Sequence, residues 1–132
     1  MKFSIVIPTY NEEKDIAGTL DALVNLKWND KEIIVVDDST DQTPHIVKRY
    51  GTRGVTLLKP ENRGGRCGAR NQGILASTGE IVVILNADVP PKPDFLQKIS
   101  VHYEAGYDYV LVNSRVANVE YLFARYVDAV SL

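Results

Sequence analysis

Residues 3–40 read FSIVIPTYNEEKDIAGTLDALVNLKWNDKEIIVVDDST, and the change of apolar period inside this stretch decides the fold. Phe3 to Ile7 is a mostly apolar, β-branched run of strand length. Ile16, Leu20, Leu23 and Val24 then recur at helical spacing. Asn11 is available as N-cap, and Glu12, Glu13 and Asp15 place negative charge in the first turn. Glu32 to Val36 is a second such run. A strand, a helix and a strand in that order predict a right-handed βαβ crossover with its two strands parallel.

Working outward, the same alternation continues. Val55–Leu58, Ile81–Leu85 and Tyr109–Val112 are three further strand-length runs. Between them, Thr40 or Asp41 can cap a helix with Pro44 in its first turn and Ile46, Val47 and Tyr50 facing inward, ended by Gly51. A third helix is expected from about Arg66, carrying Ala69, Ile74, Leu75 and Ala76 and stopping at Gly79. A fourth starts near Pro93 with Phe95, Leu96, Ile99 and Tyr103. A helical stretch from Asn118 to Ser131 has Val119, Leu122, Phe123, Tyr126, Val127 and Val130 on an apolar face in search of a partner. The expectation is one α/β domain over residues 1–132: a mostly parallel, twisted sheet with helices on both faces.

Composition narrows the function classes. Of 132 residues, 45% are hydrophobic and 24% charged, which excludes a disordered or collagen-like chain. Fifteen Lys and Arg against 17 Asp and Glu give a net charge of -2, without the basic excess of a nucleic-acid binder. The single cysteine, Cys67, excludes an intrachain disulfide and fits a reducing, cytoplasmic setting; it is read as a small packing residue at a helix start. No run of about 18 apolar residues occurs, and the N-terminal apolar run is too short for a signal peptide. A soluble chain is expected, with room for peripheral membrane association and for a homo-oligomer. His45 and His102 have no ligand-spaced partner and receive no role.

In an open parallel sheet, ligands bind beyond the carboxyl ends of the strands. Those positions are polar here: Pro8-Thr9-Tyr10-Asn11-Glu12, Asp37-Asp38-Ser39-Thr40-Asp41, Lys59 to Arg66, and Asn86-Ala87-Asp88. Asp88, with the amide carbonyl of Asn86, supplies hard oxygen ligands of the kind Mg²⁺ or Mn²⁺ accepts when phosphate oxygens and water complete its shell. The same three residues before Pro90 and Pro91 also read as a plain turn. Asp37 and Asp38 can bind a base or ribose, or cap their own loop. Arg63, Arg66 and Arg70 around Gly64, Gly65 and Gly68 signal an anion, or a solvated basic loop. Tyr10 can wall a planar base, or fill the core.

Five pieces in series carry a resemblance: Phe3-Ser-Ile-Val-Ile-Pro-Thr-Tyr-Asn-Glu-Glu, Ile34-Val-Val-Asp-Asp-Ser-Thr-Asp-Gln-Thr, Asn62-Arg-Gly-Gly, Ala69-Arg-Asn-Gln-Gly and Gly79-Glu-Ile-Val-Val-Ile-Leu-Asn-Ala-Asp. In order and spacing the chain resembles the inverting family 2 glycosyltransferases of the GT-A fold, over about residues 1–100 and less specifically to 115. The resemblance implies that Pro8, Tyr10 and Glu12 line a nucleotide pocket and that Val36 and Asp38 contact base or ribose, with Asp37 supporting the turn. It further implies Arg70 as a diphosphate or support residue, and the metal and sugar-nucleotide motif at Asn86-Ala87-Asp88. The family's motif is an acidic pair around one residue; Asn86 departs from it and brings no charge, leaving Asp88 as the metal ligand.

The implied reaction is displacement at the anomeric carbon of a nucleotide diphosphate sugar by an acceptor hydroxyl, the acceptor being a glycan, lipid or protein. A carboxylate base takes the proton and a divalent ion offsets charge on the departing diphosphate. In the family, base and acceptor elements come from a second half of the catalytic domain. The chain is therefore expected to be a donor-binding fragment of a transferase, or to rely on a second chain for the acceptor side. Three other classes fit the sequence less well. A phosphorelay receiver has this length and class, but its acidic pair should follow the first strand, whereas Asp37 and Asp38 follow the second. A non-catalytic interaction module leaves the polar rim unexplained. A dinucleotide oxidoreductase needs G-x-G-x-x-G where this chain has Pro-Thr-Tyr-Asn-Glu-Glu.

Overall fold

A computed structural model describes residues 1–61 and 65–106, with the backbone alone at Arg66. The strand expected at Tyr109–Val112, the helix expected at Asn118–Ser131 and Arg63 lie outside the described residues.

Among the described residues, four strands, β1 (Phe3–Thr9), β2 (Lys31–Asp37), β3 (Val55–Leu58) and β4 (Ile81–Ile84), form a parallel sheet in the order β3-β2-β1-β4. Register runs Phe3↔Lys31 through Thr9↔Asp37 between β1 and β2, and Phe3↔Ile81 through Val6↔Ile84 between β1 and β4. The first three strands step one way across the sheet and the fourth returns to the far side of β1. The order therefore reverses between β1 and β4, and a crevice opens at their carboxyl ends.

Helices cover both faces. Phe3, Ile5, Ile7, Ile33 and Val35 pack against Ile16, Leu20 and Leu23 of α1 (Ile16–Val24), Val47 of α2 (Thr43–Lys48) and Leu96 and Ile99 of α4 (Phe95–Glu104). The opposite face is smaller: Ile34 and Val36 pack against Ala69 of α3 (Gly65–Ala76). There α3 lies so close to β1 that a Cβ on Gly73 would stand 2.3 Å from Val6 Cγ1, so only glycine fits. Tyr50, beyond the end of α2, ties it to α1 by donating to Asp21 Oδ1 at 2.8 Å.

Four expectations are corrected. Helix α1 begins at Ile16, not beside Asn11, because Asn11 is in the left-handed region (φ 52°) and Glu12 to Asp15 form a turn closed by Ile16 N–H donating to Glu12 O at 2.9 Å. Ile74 and Leu75 are exposed, because α3 meets the sheet through its Ala69 and Gly73 side. Tyr103 is exposed on α4. Cys67 is exposed in the first turn of α3 and is not a packing residue.

Candidate functional site

The crevice at the reversal of strand order is a cleft of about 120 Å³ lined by Pro8, Glu12, Asn86, Ala87 and Asp88. Its walls are the carboxyl ends of β1 and β4, which sheet register holds level. Asn86 and Asp88 are exposed beside it, while Ala87 is buried with only 1% of its surface accessible. The stretch is indeed a turn, closed by Val89 N–H donating to Asn86 O at 3.3 Å. The turn leaves both polar side chains exposed, so being a turn does not remove them from the rim.

On the other side of β1, two polar loops are laced together. Asn11 N–H donates to Ser39 Oγ at 2.7 Å, and Asn11 Oδ1 accepts from Thr40 N–H at 2.8 Å. Glu12 N–H donates to Thr43 Oγ1 at 2.9 Å, and Gln42 N–H donates to Glu13 Oε1 at 3.0 Å. Asp41 accepts from the Thr43 hydroxyl at 2.6 Å and from Thr43 N–H at 2.9 Å. Desolvation raises the Asp41 carboxyl, but these bonds, with the Glu13 N–H, outweigh it and hold it below its ordinary range. Backbone donors that would otherwise need water are satisfied within the two loops, which fixes the rim before any ligand arrives.

The two adjacent aspartates separate cleanly. Asp37 is 3% exposed and accepts from the Thr9 hydroxyl, from Ser39 N–H and from the Ser39 hydroxyl. Its acceptor capacity is spent on the scaffold. Asp38 is exposed, its backbone anchored by its N–H donating to Thr9 O at 3.1 Å. Tyr10, 61% exposed, is a rim residue and not a core one. Val36 is fully buried beneath α3, so it has only backbone to present at the strand end. Arg70 is half-buried on α3, and its Nε is buried with no hydrogen-bond partner among the described residues. A second cleft, of about 290 Å³, lies past β2 and β3 between Asp37, Pro44, Lys48, Leu57, Leu58 and Lys59.

A divalent cation is tested by the donor set. No group of three or more His, Cys, Asp or Glu converges among the described residues. What the cleft offers is oxygen: the carboxylates of Asp88 and Glu12 and the Asn86 amide. That partial, hard set fits Mg²⁺ or Mn²⁺ held jointly with phosphate oxygens and water, and does not fit a closed protein cage. The loop lacing through Asn11, Ser39 and Thr43 escaped the sequence reading; its only signal was the density of Asn, Ser and Thr in two loops. Thr19 also escaped it. Its hydroxyl, on the buried face of α1, donates to Ala87 O at 2.5 Å.

With this geometry in place, the comparisons are decisive. The family model described as glycosyl transferase family 2 matches residues 4–130. The chain belongs to glycosyl transferase family 2. The probable glycosyltransferase YdaM of Bacillus subtilis is 38% identical over 110 residues, covering 77% of this chain and 25% of YdaM. Among solved structures, Staphylococcus aureus TarS 1–349 in complex with UDP-GlcNAc superposes with a TM-score of 0.76 at 32% identity, covering 89% of this chain and 37% of that 1–349 chain. The mannosyltransferase PcManGT from Pyrobaculum calidifontis, in complex with GDP-Man and Mn²⁺, superposes at 0.68 with 31% identity, covering 83% of this chain and 33% of that one. This family 2 chain thus spans between a quarter and two fifths of the length of these relatives. The expected fold class stands: a parallel α/β sheet of GT-A type. The receiver alternative finds no support, since the matched relatives are glycosyltransferases. No helix among the described residues is long and apolar enough to cross a membrane.

Proposed function

We propose that this chain binds a nucleotide diphosphate sugar across the β1/β4 crevice, as the donor half of an enzyme that transfers the sugar to an acceptor hydroxyl with inversion. The observation that carries the proposal is the cleft itself: Pro8, Glu12, Asn86 and Asp88 meet where strand order reverses, with Tyr10 and Asp38 exposed on the adjoining rim. Support comes also from relatives whose structures hold UDP-GlcNAc, UDP, or GDP-Man with Mn²⁺.

Tyr10 gives the base a flat apolar wall, and Asp38 accepts hydrogen bonds from base or ribose. Pro8 and Glu12 line the nucleotide side, and backbone at Val36 completes it. Asp88, with the Asn86 carbonyl, would hold the divalent ion, Mg²⁺ or Mn²⁺, against the diphosphate. Bound there, such an ion offsets the charge that develops on the leaving diphosphate. The buried Nε of Arg70, without a partner among the described residues, is suited to an anion or a support role. With Asn86 neutral, the protein contributes one carboxylate fewer than the family's acidic pair, and weaker metal affinity follows. The base for the acceptor proton is assigned to no described residue; by the family pattern it belongs to a second half of the catalytic domain, in this protein or a partner chain. Acceptor-side action in the cytoplasm, peripheral to a membrane where the acceptor is lipid-linked, goes with this proposal.

Thermal unfolding with UDP-, GDP- and dTDP-sugars in the presence of Mn²⁺ tests it. A ligand at about 100 times its Kd stabilises the folded state by about 2.7 kcal/mol, a rise of several degrees in Tm. Stabilisation by one nucleotide class over the others is expected. No stabilisation by any of them would overturn the donor site.

A further inference from the structure

We infer that Thr19 is a positioning residue for the cation-binding turn: its buried hydroxyl holds the carbonyl of Ala87 and thereby sets the direction of Asp88. The inference rests on the donor site proposed above and deepens it.

Among the described residues, the backbone of the turn after β4 is otherwise held by Val89 N–H donating to Asn86 O at 3.3 Å. Its last bond to the sheet is Leu85 N–H donating to Val6 O at 3.0 Å, and Pro90 and Pro91 downstream have no N–H to donate. Between these points the chain must reverse while presenting two polar side chains outward. Ala87 is the residue that turns inward: it is 1% exposed and its methyl joins the main core. Its carbonyl, carried into the same dry region, would lack water as a partner. Thr19 supplies the partner at 2.5 Å, from a side chain itself 1% exposed among Ile16, Leu20 and Leu23.

Nothing about α1 itself calls for a threonine at this position. The side chain sits on the apolar stripe of the helix, where a β-branched polar residue costs helix propensity and a hydroxyl needs a bond. The bond runs to the middle residue of the Asn-Ala-Asp stretch, 68 positions away in sequence. A carbonyl fixed at the central residue constrains the Ala87–Asp88 peptide plane that contains it, and with it the Cα–Cβ direction of Asp88. Groups that orient ligands in this indirect way commonly change metal affinity by about 10–100-fold when removed.

The test is UDP titration into the full chain with Mn²⁺ and with EDTA, for the unaltered chain, Thr19→Val and Thr19→Ser. Valine keeps the shape and removes the donor; serine keeps the donor. The expected result is an unchanged UDP affinity in EDTA for Thr19→Val, with its Mn²⁺-dependent gain cut by about tenfold, and the full gain retained by Thr19→Ser. A Thr19→Val chain that keeps the whole gain, or loses affinity equally with and without Mn²⁺, overturns the assignment. Should Thr19→Val fail to fold, loss of the gain in Thr19→Ser overturns it equally. If the unaltered chain binds UDP no better with Mn²⁺ than without, the metal-assisted donor site falls and Thr19's assignment with it. If the unaltered chain shows the gain and Thr19→Val matches it, Thr19's assignment alone falls.

Discussion

Thr9 and Asp37, facing each other across the ends of β1 and β2, are joined by a hydroxyl-to-carboxylate hydrogen bond of 2.5 Å with both residues buried. Ser39 adds two more donors to the same carboxylate. Asp37 is therefore a strut of the rim, and its neighbour Asp38 is the one open to a ligand. The two should separate in experiment. Asp37→Ala leaves three donors without their acceptor and is expected to cost about 1–3 kcal/mol of stability, measured by urea unfolding. Asp38→Ala, at an exposed side chain, should change stability by less than about 0.5 kcal/mol while weakening nucleotide binding.

Asn11 is the one described non-glycine residue at positive φ, and its amide oxygen accepts from Thr40. Asn11→Ala loses the bond and places a poorly suited side chain in the left-handed region, at a cost of about 1–2 kcal/mol. Asn11→Gly restores the backbone freedom alone and should recover part of that loss. Hydrogen exchange at the Thr40 amide reports the missing acceptor in both variants, and an unchanged Thr40 protection factor would contradict the lacing of the loops.

The contact of Gly73 with Val6 is a matter of sign. Alanine in a helix interior normally gains about 1 kcal/mol over glycine. Here the added methyl would meet Val6 Cγ1 at 2.3 Å, and overpacking of that kind costs about 1–3 kcal/mol. Gly73→Ala is thus expected to destabilise, and Val6→Ala in the same chain should relieve the clash. A double-mutant cycle by chemical denaturation should give a clearly favourable coupling; additive effects would contradict the close approach of α3 to β1.

At the opposite end of the sheet, Glu32 anchors β2 to the turn before β4. Burial raises its carboxyl, but the Ser4 hydroxyl at 2.5 Å, the N–H and hydroxyl of Thr78 and the charge of Lys2 outweigh it and bring it below its ordinary 4.5. The folded state thus holds this proton less tightly than the unfolded chain does. Its stabilising contribution is fully present above the ordinary carboxylate range and is lost as pH falls through the lowered value. The Tm difference between the unaltered chain and Glu32→Gln should be constant near neutrality and shrink below pH 4.5. A difference that persists unchanged into acid would remove Glu32 from the account.

Much of this architecture is legible in the sequence because the centres of β1 and β2 are buried on both faces and so read as the apolar runs Ile5–Ile7 and Ile33–Val36. Val55–Leu58 was legible to the residue. The same signal overstates β4, whose Val82 and Ile84 are exposed although the run looks as apolar as that of β1; composition cannot tell which face α3 leaves uncovered. Ile74 and Leu75 mislead for a related reason, since α3 docks through small residues, and a glycine contact leaves no hydrophobic signature. In the site, the rim positions follow from strand ends alone. The division of labour between Asp37 and Asp38, and the reach of Thr19 to Ala87, depend on contacts between segments 28 and 68 residues apart, which no local pattern encodes.

On the proposed function, Asp88 brings a divalent cation to a nucleotide diphosphate in the β1/β4 crevice. Isothermal titration of UDP into the unaltered chain and into Asp88→Ala, each with Mn²⁺ and with EDTA, tests it most directly. The predicted result is tighter binding with Mn²⁺ in the unaltered chain, and in Asp88→Ala the same weak affinity under both conditions. Failure of the unaltered chain to bind UDP, or a full Mn²⁺-dependent gain in Asp88→Ala, would contradict it.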